Sequence, residues 1–365
     1  MGQTFGGMPL STARSLFPGG MTPDGFMSCF DHLLPETELR RMIILKGGPG
    51  VGKSTFMRRV HAALCADGEP STLYFCSGDP DSLDAVAVPH AGLLILDGTA
   101  PHIVDPKIPG ARDSIVNLGT CLNEEAMRPR LRQIQDCMAD HAACSRRARA
   151  SMKAARAIAQ DNAALIASAV DAAKQERMLR SLIRTTLCLD TPPDDAPAVR
   201  PVITDAVTPK GELCLIAENA QPRVIRLVRH WAMDLTDVLS RVSRAVLAAG
   251  YSVEEHLYPA MPGRLLHLGI PALNTLITTS DLLPSEQLFD FAACVPQSGI
   301  LRHECALEQG RADVKMHLHR AVSALSQAKQ LHDELETFYV PNMDFSRWQT
   351  ALDETLDSLK PHEAK

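Results

Sequence analysis

The chain has 365 residues and a mass of 39.7 kDa, which at about 150 residues per domain predicts two domains. Hydrophobic residues make up 45% and charged residues 22%, a globular balance that excludes a wholly disordered or fibrous chain. With aromatics at 4%, Leu, Ile, Val, Ala and Met must build the cores, and a net charge of -6 excludes a general polyanion binder.

The first residues, MGQTFGGMPLSTARS, lack the apolar core of a signal peptide, and Gly6 breaks the myristoylation pattern that Met-Gly would open. No apolar run approaches the ~20 residues that span a bilayer. Ten cysteines occur without a single CxxC pair, which predicts reduced thiols rather than a disulfide framework or a zinc site. The expectation is a soluble, cytoplasmic protein with no membrane partner.

The strongest local signal lies at residues 40–60. Met42 to Leu45 form a short apolar run that reads as a buried strand. Gly47, Gly48, Pro49, Gly50, Val51, Gly52, Lys53 and Ser54 then match GxxxxGK[ST], and Thr55 to Cys65 reads as a helix ending near Gly68. Glycines let backbone N–H groups turn inward around a phosphate, and the helix presents its positive end to the same anion. In this pattern Gly47 to Thr55 cradle the phosphates, Lys53 reaches the β/γ-phosphates, and the Ser54 hydroxyl ligates Mg²⁺.

Thr72 to Cys76 reads as the next strand and runs into Asp79, Asp81 and Asp84. Strand carboxyl ends face the ligand crevice of open α/β sheets, so Asp79 or Asp81 is a candidate to orient the attacking group. Asp79-Pro80 and Ser82 equally read as a helix start and cap. Leu93 to Leu96 is a buried strand, and Asp97 at its end is the candidate second Mg²⁺ ligand. In the Pro-rich loop that follows, 99–113, Lys107 and Arg112 can neutralise phosphate and His102 can touch substrate; the alternative is that they are solvated loop residues. No Asn-Lys-x-Asp occurs, and Asp97 is followed by neither the DxxG pattern nor a glutamate. Adenine nucleotide is therefore the default base by elimination.

From Arg130 to Thr191 there is neither Gly nor Pro. Met127, Leu131, Ile134, Met138, His141, Ser145, Ala148, Met152, Ala155, Ala159, Asn162, Ile166 and Ala169 set a 3-4 rhythm, the stripe of a long amphipathic helix. Residues 122–189 hold 12 Lys/Arg against 7 Asp/Glu, densest at Arg146, Arg147, Arg149 and Lys153. That excess is a solvated face or a contact for an acidic partner, and the missing aromatics disfavour nucleic acid. On the later helix, His332 and Glu336 lie one turn apart, which reads as a surface hydrogen bond before a metal pair.

The second half echoes the first. Thr22-Pro23 returns as Thr208-Pro209. Arg59 to Gly68 answers Arg241 to Gly250, and Val88-Pro89 answers Ile270-Pro271, both at an offset of 182. At that offset Gly47 falls on Arg229, Gly52 on Asp234, Lys53 on Leu235, Ser54 on Thr236 and Asp97 on Thr279. The second copy thus keeps the fold and loses the phosphate chemistry. Ala155 to Ile158 aligns with Ala328 to Leu331, and the later helix breaks at Pro341-Asn342, so the first should break near Ala167 to Asp171. Each nucleotide domain then carries its own helical hairpin.

GGPGVGKST, CSGDPDSLDAV, LDGTAPHIVDP, PGARD and NLG, with AKQLHDELETFY and NMDF, resemble a group of uncharacterised bacterial ATP-binding proteins with tandemly duplicated P-loop domains. The resemblance covers nearly the whole chain and implies ATP binding without fixing a reaction. In that group the second half often carries its own GxxxxGK[ST], which is degraded here.

The expected architecture is α/β, with two tandem P-loop NTPase-like parallel-sheet domains, each with a long helical hairpin insertion. The segments are a nucleotide-binding domain at 1–121, a hairpin at 122–190, a linker at 191–199, a degenerate domain at 200–300 and a second hairpin at 301–365. The expected cofactors are ATP and Mg²⁺, at Gly47 to Thr55 and at Ser54 and Asp97. Lys53, Asp79 and Asp81 carry the chemistry of a weak ATPase or a small-molecule kinase, or the chain is an ATP-dependent switch that presents its hairpins to a small-molecule or protein partner.

Overall fold

The computed structural model describes residues 13–66, 68–100, 102–187, 193, 196–219 and 223–360. Most of the N-terminal stretch, Pro101, Cys188, Thr191 and part of the 191–199 linker lie outside the described residues.

The first-half strands are β1 (Ala13–Leu16), β2 (Gly19–Thr22), β3 (Gly25–Ser28), β4 (Arg41–Lys46), β5 (Ser71–Phe75), β6 (Leu83–Val88), β7 (Leu93–Asp97) and β8 (Asp113–Asn117). The second half holds β9 (Val199–Val202), β10 (Asp205–Thr208), β11 (Gly211–Cys214), β12 (Arg223–Val228), β13 (Val253–Leu257), β14 (Leu265–Ile270), β15 (Thr275–Thr278) and β16 (Gln287–Asp290). The helices are α1 (Lys53–Leu64), α2 (Glu124–Met127), α3 (Leu131–Ala167), α4 (Ala172–Thr186), α5 (Thr236–Ala248), α6 (Gln297–Arg302), α7 (Glu304–Tyr339) and α8 (Phe345–Leu359).

Two compact units result. The first takes the chain through Pro18, Phe30–Arg146 and the residues from Ala324 onward; the second takes Gly19–Cys29 and Arg147–Ser323. The first contains a six-stranded sheet in the order β1-β5-β6-β7-β4-β8. The second contains a six-stranded sheet in the order β16-β12-β15-β14-β13-β9, together with the hairpins β2–β3 and β10–β11. Read from the other edge, the second order is β9-β13-β14-β15-β12-β16, so the strands occupy matching places in both sheets.

Neither sheet is the parallel sheet expected. β6 runs antiparallel to both β5 and β7, as β14 does to β13 and β15. The seven residues between Phe75 and Leu83 are too few for the crossover that a parallel neighbour requires. β6 is buried at every position, and it stands where the Asp79-Pro80 signal allowed a helix. Ser82 instead donates its hydroxyl to Asp79 Oδ2 at 2.7 Å, closing a turn before the strand.

The core of the first sheet is aliphatic. Ile43, Ile44, Leu45, Val86, Ile95 and Leu96 are buried, and α1 lays Phe56, Met57 and Val60 across β6 and β7. In the second unit Val238, Leu239, Val242 and Val246 of α5 pack with Leu268 and Ile277.

The hairpins break at Ser168–Asp171 and Val340–Asp344, at the positions expected. Their second helices, however, are exchanged. α4, from the first half of the chain, packs on α5 in the second unit, where Leu179 and Leu182 join its core and Glu176 pairs with Arg241 at 2.8 Å. α8, from the second half, packs on α1 in the first unit: Trp348 meets Phe56 edge-on at 5.6 Å and Arg41 binds Ser358. The expectation of one hairpin per domain fails because both hairpins carry the same apolar stripe, so the stripe does not state which α1-type helix it covers. Along α3 the buried positions are Ile134, Cys137, Cys144, Ala148, Met152, Ala155, Asn162 and Ile166. Met138 is exposed and Cys137 takes its place in the seam. Among the described residues no helix is long and apolar enough to cross a membrane.

Candidate functional site

β4 ends at Lys46 and α1 begins at Lys53, so residues 47–52 form the turn between a buried central strand and a helix N-terminus. Gly50 and Gly52 adopt φ values of 67° and 81°, the left-handed region that other residues enter only with strain. Gly52 is also the N-cap of α1, with no side chain over the helix end, which leaves the first N–H groups of the helix to an external partner.

Parallel pairing in register places Asp97 beside Leu45 and Asn117 beside Lys46. The sequence-predicted Lys53, Ser54 and Asp97 are therefore brought to one end of the sheet. Lys53 Nζ lies 3.5 Å from Asp97 Oδ2 and donates to the carbonyls of Gly47 and Gly48, each at 2.8 Å. Asp97 Oδ1 accepts the Thr99 N–H at 2.8 Å, which fixes the carboxylate. Ser54 Oγ accepts the Leu83 N–H at 2.9 Å. Lys46 Nζ binds the carbonyls of Gly98 and Val104, each at 2.8 Å, and so staples the loop after β7.

Of the three aspartates at 79–84, Asp84 is the one beside this pair. It is buried, and its Oδ2 lies 3.5 Å from His102 Nε2. Burial and then the Asp97 charge push its carboxyl up to about 7, against the pull of Lys53. His102 stacks on Phe30 at 4.9 Å, and burial pushes its imidazole down. Asp79 is held by Ser82 and lies 3.6 Å from Lys329, while Asp81 is exposed and offers its carbonyl to Arg58. Lys107 and Arg112 are engaged elsewhere: Lys107 pairs with Asp31 at 2.8 Å, and Arg112 pairs with Glu36 and Asp113.

No protein-family model, curated protein or solved structure matches the chain.

The residues that sequence reasoning did not bring to the loop come from the C-terminal helices. Glu336, on the last turn of α7, lies against Gly50, where an added Cβ would come within 3.3 Å of the Glu336 Cβ. His332 at 3.6 Å holds the Glu336 carboxyl below the usual range. A Cβ on Gly48 would come within 3.1 Å of Tyr339, one on Gly50 within 2.9 Å of Val340, and one on Gly52 within 3.0 Å of Trp348. The sequence held one signal of this, the His332–Glu336 pair, but nothing that said what it faced.

The corresponding loop of the second unit is closed from within. Arg229 donates through Nη1 to the carbonyls of Trp231 at 2.9 Å and Met233 at 3.0 Å. Burial pushes its guanidinium down to about 10. Asp234 accepts the Thr236 N–H at 2.8 Å, so a carboxylate already sits at the start of α5.

Proposed function

We propose that the first unit is a Mg²⁺-dependent ATP-binding P-loop NTPase module, and that the nucleotide site lies in this unit only. One observation carries the reading: the glycine loop 47–52 leads into an α1 whose N-terminus has no side-chain cap, with Lys53 and Asp97 3.5 Å apart beside it. Uncapped N–H groups at a helix start suit a phosphate, which brings both negative charge and acceptor oxygens. The absence of Cβ atoms at Gly48, Gly50 and Gly52, where each would crowd a neighbour, fits a cradle that admits only backbone.

In this reading Gly47 to Thr55 bind the phosphates, Lys53 neutralises their charge, and Ser54 and Asp97 hold Mg²⁺. The nucleotide, when bound, supplies the phosphoanhydride that is cleaved or transferred. Asp84, close to Lys53 and Asp97 and near neutrality in its titration, is better supported than Asp79 or Asp81 as the group that orients a nucleophile. The resemblance to tandem P-loop ATP-binding proteins points the same way, to ATP without a stated substrate. The test is ATP binding and turnover, with and without a metabolite panel, for the wild type and Lys53→Ala. Loss of binding in the variant supports the reading, and equal binding by both overturns it.

A specific contact favours the switch over the kinase. Glu336 lies beside Gly50, so a γ-phosphate bound at the loop would face its negative charge and would displace the end of α7. Hydrogen exchange at 333–342 should rise when ATP and Mg²⁺ are added, and unchanged exchange there favours the kinase.

A further inference from the structure

The second unit, which lacks the glycine loop, carries a different cluster. Antiparallel register sets Asp205 on β10 directly opposite Cys214 on β11. His267 stands on β14 between His256 on β13 and Thr278 on β15, again as direct cross-strand neighbours. Its neighbour Leu268 packs with α5, so alternation turns His267 to the other face of the sheet. There the Asp205, Cys214 and His267 donor atoms all lie within 4.8 Å of one another. Asp205 Oδ2 and His267 Nε2 are already 3.1 Å apart, and Cys214 is hydrogen-bonded to Asp205.

We propose that Asp205, Cys214 and His267 form a metal site for a divalent cation of zinc type, with a fourth position left to an exogenous ligand. One carboxylate, one thiolate and one imidazole are the donors that Zn²⁺ takes, and three protein ligands leave a tetrahedral ion one open place. Bond lengths of 2.0–2.3 Å require donor atoms about 3.3–3.8 Å apart, so small side-chain adjustments complete the set. Each donor is also oriented from behind. Thr278 Oγ1 lies 2.7 Å from His267 Nδ1, Thr204 donates to Asp205 Oδ2 at 2.8 Å, and the Ile216 N–H points at the Cys214 sulfur. Such outer partners fix the imidazole and carboxylate of metal sites. The side chains of His267 and Asp205 are 2% and 16% exposed, sheltered yet within reach of solvent.

The fold itself does not demand these residues. The matching cross-strand pairs of the first half are Gly19 opposite Ser28 and Tyr74 opposite Ala85, which offer neither thiolate nor imidazole. The ligands lie on three strands, and His267 stands 53 residues beyond Cys214, which is why cysteine spacing alone gave no sign of them.

The test is titration of the metal-free full-length protein with Co²⁺ in the absence of nucleotide. One equivalent should bind with a thiolate-to-cobalt charge-transfer band. Cys214→Ser should abolish the band and weaken binding by more than about 100-fold, Thr278→Val should weaken it about tenfold, and a Cys305→Ser control should change nothing. A band that survives Cys214→Ser, or no uptake, overturns the site. If the variants do not fold, the wild type still decides. Zn²⁺ should slow alkylation of the Cys214 peptide at least about tenfold, and unchanged labelling overturns the proposal. Lys53→Ala should retain full Co²⁺ binding, which separates this site from the nucleotide reading.

Discussion

The two units share one strand order and gather different residues on it. In the first, glycines form the loop after β4, and Lys53, Asp97 and Asp84 gather at that end of the sheet. In the second, Arg229 fills the equivalent loop, and Asp205, Cys214 and His267 gather instead on the sheet face away from α5. The difference teaches that the sheet order needs no glycine loop. β12 to α5 closes without one, because Arg229 binds carbonyls of its own turn, at Trp231 and Met233, as Lys53 binds those of Gly47 and Gly48.

Five substitutions break or sharpen that contrast. The largest effect is expected from Trp348→Ala, which removes the side chain that covers Phe56 and should cost about 3–5 kcal/mol of stability by urea unfolding. Its damage should appear as faster hydrogen exchange in α1 and not in α5, although Trp348 belongs to the second half of the sequence. Next is Lys53→Ala, expected to weaken ATP by about 2–3 kcal/mol, while Arg229→Ala leaves ATP affinity unchanged in the same calorimetric assay. If the arginine variant loses as much, the assignment of one nucleotide site to the first unit fails.

Glu336→Gln should act in the opposite direction. Removing a negative charge beside the loop is expected to tighten ATP about tenfold, read by competition with a fluorescent nucleotide. The smallest effect concerns Asp84. Its folded pKa of about 7 lies above the 3.8 of an unperturbed aspartate, so the native state keeps a proton that the unfolded chain releases between about pH 4 and 7. Stability therefore falls as pH rises through that window and stays at the lower level above it. Asp84→Asn should gain on the order of 1 kcal/mol at pH 8 and nothing at pH 4, measured by urea midpoints at both values.

What the sequence made legible was local. The run Met42 to Leu45, the glycines, Lys53 and the strand ending at Asp97 could be read because each signal sits within a few residues of its own element. The offset of 182 likewise foretold that matching strands recur. Three features escaped. β6 was hidden because Asp79-Pro80 and Ser82 suit a helix start as well as a tight turn. Cys137 displaced Met138 from the α3 seam, since both satisfy a 3-4 rhythm. Glu336 and Trp348 meet their partners across 286 and 292 residues, and His267 joins Asp205 and Cys214 across 62 and 53 residues on another strand; no pattern along the chain records such contacts.

The exchanged helices also bear on how the protein is made. Phe56 of α1 emerges early in synthesis, but the helix that covers it is finished only at Leu359. At about 5–20 residues per second, close to 300 residues separate the two events, a wait on the order of 15–60 s. During that time the side of Phe56 that Trp348 covers stands open. A nascent chain of this kind is a natural client for holding chaperones, and a truncation before α8 would leave the first sheet complete in its strands yet without the cover of its helix.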